Sequence, residues 1–292
     1  MKIISSDEEL RRYVPNVFAT VKGEGSFYDK ITPFLDQAEK WAVEAFTSRA
    51  IFDTICGMSE AHVIRTHLSR VVVCEAFRNA APSLDLVLTP NGFGIVSNQN
   101  VVPASRERVE RLIASLEMER DGAIHLLLAA LPSITEWLNT EQCSFFAATM
   151  FPNTDICSAV GIREHRWEKY QELRPILQTI EQHIATQFIG EEQMAVFRKA
   201  VMQPSFASHT VVKSVIGSLR AVEVLLLRNE LPSSVAPSLL GRAGGEASSL
   251  IQIVDVIIKH PDEFPEWHSS PIADLYSPPI FNNEKHSTGY WF

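Results

Sequence analysis

This chain matches itself. At an offset of 142 residues, Tyr28, Pro33, Leu35, Glu39 and Phe46 recur as Tyr170, Pro175, Leu177, Glu181 and Phe188, with Ile31 and Phe34 echoed in kind by Leu173 and Ile176. At an offset of 150, Arg70, Val72, Arg78, Asn79, Pro82 and Ser83 recur as Arg220, Val222, Arg228, Asn229, Pro232 and Ser233. At an offset of 130, Glu136-Trp137 recurs as Glu266-Trp267. The blocks keep their order, and the offset drops after Pro82 by about the length of one segment, Leu84–Pro103. Ordered self-similarity at a fixed period is how a repeated structural unit shows itself. The expected organisation is a first unit over 1–150, a second over 151–268, and an extended C-terminal arm over 269–292. Pro33 and Pro175 occupy the same place in each unit. Proline removes a backbone donor and crowds the preceding turn, so each should kink or open a helix.

The units themselves read as helical. Ile64, Leu68, Val71 and Val72 fall on one face, as do Leu173, Ile176, Leu177 and Ile180, and Leu250, Ile253, Val254, Ile257 and Ile258. This spacing is the 3.6-residue period of an amphipathic helix. Ser6, Ser59 and Ser105 stand where N-caps belong. The pattern predicts helices near 6–14, 28–47, 59–80, 105–131, 163–188, 191–203, 208–229 and 246–259, hence a mainly α fold.

One segment breaks the period. Leu84-Asp85-Leu86-Val87-Leu88-Thr89 alternates, Pro90-Asn91-Gly92 supplies a tight reversal, and Phe93-Gly94-Ile95-Val96 follows. Asn-Gly accepts the positive φ angles of a two-residue turn, so a β-hairpin is expected as an insertion at about 84–103 of the first unit. Two strands alone bury too little to be stable in water. The hairpin must therefore lie on the helical body, pair with another chain, or both.

The function classes then narrow. Hydrophobic residues are 46% and charged residues 21% of the chain, as in folded globular proteins. The formal net charge of −9 argues against tight nucleic-acid binding, which needs cations to displace phosphate counterions. The apolar run Ala123–Leu131 is far short of the ~20 residues that cross a bilayer, so no membrane partner is expected. Ser5-Ser6-Asp7-Glu8-Glu9 follows the first four residues, which does not suit a signal peptide. Cys56, Cys74, Cys143 and Cys157 lack CxxC spacing and fit buried thiols in a reducing compartment.

Signatures of catalysis are missing: the chain contains no HExxH, GxSxG, GxxxxGK[ST] or EF-hand loop. Gly241-Arg242-Ala243-Gly244-Gly245 precedes a helix but carries no Lys-Ser/Thr, and reads as a connection. His62 and His67 point apart on a helix, so they make poor co-ligands. His165-Arg166-Trp167-Glu168 reads as surface, and the acids Asp262, Glu263 and Glu266 as structural. Trp137 and Trp267 look like anchors that close each unit's core. No catalytic residue, cofactor or metal ligand is expected. The tail holds Ser277-Pro278-Pro279-Ile280-Phe281 and ends Tyr290-Trp291-Phe292. Prolines oppose a helix, and aromatics suit an arm that docks on a groove of its own subunit or a neighbour.

The stretch Leu88-Thr89-Pro90-Asn91-Gly92-Phe93-Gly94-Ile95-Val96-Ser97-Asn98, leading to Val102-Pro103-Ala104-Ser105-Arg106-Glu107-Arg108-Val109, resembles an uncharacterised family of Bacteroidetes tailed phages and prophages. Crass-like phages are included, with the genes beside those for head and portal proteins. The block ending Glu75-Ala76-Phe77 and the aromatic C-terminus resemble it too. The resemblance implies a virion structural protein, a head–tail connector or ring adaptor stacked below the portal and assembled in the bacterial host cytoplasm. Its partners would be further copies in a ring and other portal and tail components, with DNA passing through. Contacts are expected at Leu86, Leu88, Phe93 and Ile95 of the hairpin and at Ile280, Phe281, Tyr290, Trp291 and Phe292 of the arm. The alternative is an enzyme or small-ligand binder, whose sign would be His125, His183, Glu39 and Glu181 converging on a cavity between the units.

Overall fold

The structure, a computed structural model, describes residues 1–14, 26–84, 86–89, 92–95, 105–203, 210–230 and 246–276. It is mainly helical. The first half runs α1 (Asp7–Arg11), α2 (Phe27–Ala45), α3 (Arg49–Gly57), α4 (Val63–Ala80), β1 (Leu86–Thr89), β2 (Gly92–Ile95), α5 (Arg106–Ala130), a 3-10 turn (Thr135–Asn139) and α6 (Glu141–Phe146). The second runs α7 (Asp155–Ala159), α8 (Arg166–Ile184), α9 (Glu191–Val201), α10 (Thr210–Glu230), α11 (Glu246–Ile258), α12 (Pro265–His268) and α13 (Pro271–Tyr276).

Caps set several starts. Ser6 Oγ accepts from the Glu9 N–H at 3.2 Å, Ser26 Oγ from Tyr28 at 3.1 Å, and Ser48 Oγ from Ile51 at 3.3 Å, each satisfying a first-turn donor. The helix expected over 59–80 begins only at Val63. Ser59 instead accepts from the Ala61 N–H in a turn, and the N-cap His62 makes no side-chain bond. Ahead of it lies α3, which the periodicity missed. Nine residues with Ile51, Phe52, Ile55 and Cys56 buried are too short for the helical period to stand out.

Helix α4 is buried nearly all round, through Ile64, Leu68, Val71, Val72, Val73, Cys74, Ala76, Phe77 and Ala80, because α2 and α5 cover it from two sides. Strands β1 and β2 leave its C-terminal end and pair antiparallel, Leu86 opposite Ile95 and Leu88 opposite Phe93. In the second half, α10 packs on α11 and α8. A π-turn at Ala185–Ile189 ends α8, and Gly190 turns the chain into α9 with φ +82°. The positive φ favours glycine, and a Cβ there would also stand in tight contact, 3.3 Å, with Ser270 Oγ.

The segment 269–292, expected to be an extended arm, is helical where it is described. Pro271 opens α13 and Pro265 opens α12, since a proline in the first turn loses an N–H that has no partner there anyway. The chain is helical to Tyr276, and Ile280, Phe281, Tyr290, Trp291 and Phe292 lie outside the described residues.

Paired interactions run through both halves. Glu39 accepts from the Ile3 N–H at 2.8 Å, and Glu181 from the Met150 N–H at 2.6 Å. Tyr28 donates its hydroxyl to the Ile4 carbonyl at 3.1 Å, and Tyr170 to that of Phe151 at 2.9 Å. Trp137 Nε1 donates to the Phe46 carbonyl at 2.8 Å, and Trp267 Nε1 to that of Phe188 at 2.9 Å. The ring pairs Phe46–Phe146 and Phe188–Tyr276 lie 6.4 and 6.5 Å apart, and Trp137–Phe146 and Trp267–Tyr276 both 6.4 Å. Both tryptophans are buried and fully hydrogen-bonded, as large amphipathic anchors should be.

Candidate functional site

The densest polar cluster lies where α4, α5 and α8 meet. Arg120, on α5, is 1% exposed. Its Nη1 donates to Glu75 Oε2 at 2.9 Å, its Nε and Nη2 to Asp121 Oδ1 at 2.9 and 2.7 Å, and its Nη2 to both oxygens of Glu168 at 2.8 and 2.9 Å. Glu75 also takes Arg78 and Asn79. The other oxygen of Asp121 accepts from the Trp167 N–H at 3.2 Å, in the first turn of α8, where an anion is favoured.

Desolvation would push the buried Glu75 carboxyl up, but the bonds from Arg78 and Arg120 outweigh it and hold Glu75 below the ordinary range. Burial likewise opposes the charge on Arg120, and Asp121, Glu75 and Glu168 overcome it, so its affinity for the proton rises. Neither group can exchange a proton near neutrality. The cluster is a fixed ion-pair clamp rather than acid–base machinery.

Beside it, His165 is the N-cap of α8 and adopts a left-handed backbone, φ +50°. Its Nδ1 lies against Glu117 Oε1, and Glu117, His165 and Glu168 bring one ligand atom each within 4.8 Å of one another. A cation there would compete with the Arg120 guanidinium for Glu168. A depression of about 180 Å3 opens next to them, but Arg163 and Arg166 line it too.

A second cluster is buried in the second half. Arg198 Nε donates to Glu181 Oε2 at 2.7 Å. Glu223, fully buried on α10, has no hydrogen-bond partner for either oxygen among the described residues. Desolvation first, and then the Glu181 charge, drive its carboxyl well above the ordinary value, and burial also raises Glu181 despite Met150 and Arg198. A carboxyl raised on folding is stabilising while protonated. That contribution is complete below the ordinary value of 4.5 and is lost as pH rises through the folded value. Glu223→Gln is therefore expected to gain roughly 1–3 kcal/mol at pH 8 and much less at pH 5. Urea denaturation at the two pH values measures this, and an equal gain at both would refute it.

His125, His183, Glu39 and Glu181 do not converge. His125 sits 3.6 Å from Asp155, His183 is exposed on α8, and both glutamates are committed to backbone N–H groups. A groove of about 390 Å3 between the halves is lined by Leu138, Cys143, Ala147, Ala195 and Met202, with Arg198 already held by Glu181. The four cysteines are free and buried. Burial pushes Cys56 up to about 11 and Cys74 and Cys157 up to about 12, so none offers a thiolate at neutral pH. Asp262 and Glu263 are exposed, and Trp137 and Trp267 are the anchors expected of them. Among the described residues no helix is long and apolar enough to cross a membrane.

Residues 21–147 match a family of unknown function, DUF6712. The match covers less than half of the chain and takes in α2 through α6. No curated protein and no solved structure matches the chain.

Proposed function

We propose that the chain is a non-enzymatic assembly protein built on an internal duplication, and that it serves as a virion head–tail connector or ring adaptor. The duplication is supported by the paired bonds of Glu39 and Glu181, Tyr28 and Tyr170, and Trp137 and Trp267. The glutamate and tyrosine pairs stand at the offset of 142, and the tryptophan pair at 130, as in the sequence. Each half also orders its helices alike: a five-residue helix, a 19-residue helix with an internal proline, and finally a six-residue helix.

The observation that carries the assembly reading is the ribbon β1–β2. Among the described residues it belongs to the first half alone, and no third strand joins it. A two-stranded ribbon has two open edges and little stability of its own, so pairing with a neighbouring subunit suits it. Leu86, Leu88, Phe93 and Ile95 of the ribbon and Ile280, Phe281, Tyr290, Trp291 and Phe292 of the C-terminal segment carry the partner contacts. A head-to-tail contact repeated about an axis closes a ring. Portal and tail components lie above and below it, and the charge of −9 keeps the wall from gripping DNA that passes. The virion assignment rests on the family resemblance of the hairpin segment.

Light scattering on the purified chain, alone and with neighbouring virion proteins, tests this. Deleting Ile280–Phe292 should abolish the oligomer and leave the helical circular dichroism unchanged. An oligomer of the same mass after the deletion would remove the C-terminal segment from the interface.

A further inference from the structure

Glu117 carries a buried oxygen that the ion-pair clamp leaves out. The residue, on α5, is 8% exposed, and its Oε1 makes no hydrogen bond among the described residues. A buried polar atom without such a partner asks for one, and an ion is among the groups that can supply it. The atom lying against it is Nδ1 of His165, and Glu168 brings a carboxylate oxygen to the same spot, all three ligand atoms within 4.8 Å of one another. One ligand comes from α5 and two from the start of α8, three residues apart and so on one face of that helix. The side chains of His165 and Glu168 are 61% and 40% exposed, which leaves the spot open to solvent on one side.

We propose that Glu117, His165 and Glu168 bind a divalent transition-metal ion of the zinc class, which joins α5 to α8 whether or not the chain forms a ring. One imidazole nitrogen with two carboxylate oxygens is a donor set for such ions, and three protein ligands leave a further position for water. The imidazole selects against Mg2+ and Ca2+, which take oxygen ligands. Charge agrees with a cation. Glu75, Glu117, Asp121 and Glu168 carry four formal negative charges against the two positive ones of Arg78 and Arg120, which leaves −2. On the rim, Arg166 is drawn aside by Thr154, to whose Oγ1 its Nη2 donates at 3.0 Å, and Arg163 is offset by Glu164. Competition with Arg120 is confined to one oxygen. Both oxygens of Glu168 accept from the same Nη2, so one can turn to the ion while the other keeps its bond.

Zinc chloride titrated calorimetrically into the chelator-treated full chain tests this. It should reveal a site that His165→Gly and Glu117→Gln each weaken by at least about tenfold, since disturbing even an outer partner of a metal ligand costs that much. Glycine accepts the φ of +50° that His165 adopts, so this variant removes the imidazole without straining the backbone. Wild-type zinc affinity in either variant, or no binding to the wild-type chain, would overturn the site. A readout on the unaltered chain covers a variant that misfolds. Zinc should protect His165 from modification by diethyl pyrocarbonate, followed by peptide mass spectrometry. Unchanged reactivity of His165 with zinc present would mean that Glu117 and His165 form a plain ion pair and no metal site. Magnesium chloride at the same concentration should give no protection, and equal protection would overturn the zinc-class assignment.

Discussion

Arg120→Ala will destabilise the fold by ~3–5 kcal/mol, the cost of leaving buried charges unpaired. The guanidinium is the shared partner of Glu75, Asp121 and Glu168, and Glu75 and Asp121 are almost as buried as the arginine. Removing it strands like charges close together in a desolvated pocket. Arg120→Lys will recover only part of the loss, because an ammonium cannot address three carboxylates through a planar fork. Urea midpoints of the three proteins measure this. A loss below ~1 kcal/mol for the alanine variant, the worth of an exposed ion pair, would mean that the clamp is dispensable.

Trp137→Ala will cost a comparable ~3–5 kcal/mol, and Trp267→Ala less. Both indoles are buried and both Nε1 groups are bonded, but their surroundings differ. Trp137 lies under rings that Trp167 and Tyr170 cover, so its cavity cannot collapse without moving α8. Trp267 lies beside the half-buried Tyr276, which has room to move in. The conservative exchanges Trp137→Phe and Trp267→Phe each remove one bond to a carbonyl, worth about 1 kcal/mol, and should match each other. Thermal denaturation of the four variants separates packing from bonding, and unequal phenylalanine variants would count against equivalent anchors.

The anchors were legible because the pair Glu-Trp occurs at both 136–137 and 266–267. Glu39, Tyr28 and Trp137 could be matched with Glu181, Tyr170 and Trp267 from spacing alone, and helices such as α8 and α11 declared themselves by period. Short elements did not: α3, α6 and α7 hold too few turns for a period to emerge. The ion-pair clamp was invisible for another reason. Glu75 and Glu168 stand 45 and 48 residues from Arg120, on separate helices, and an arginine in a helical stripe of charged residues looks like solvated surface. Only the packing of α5 against α4 and α8 turns it inward. Glu223 was hidden likewise, as one acid in a long helix whose burial depends on what lies across from it.

The shared guanidinium also decides how the molecule bears load. A hinge needs a loose joint where backbone angles can change, or an interface able to slide. Here one planar group ties Glu75 of α4 in the first half to Glu168 of α8 in the second. Sliding α8 past α4 and α5 would therefore have to break the Arg120–Glu168 bridge first.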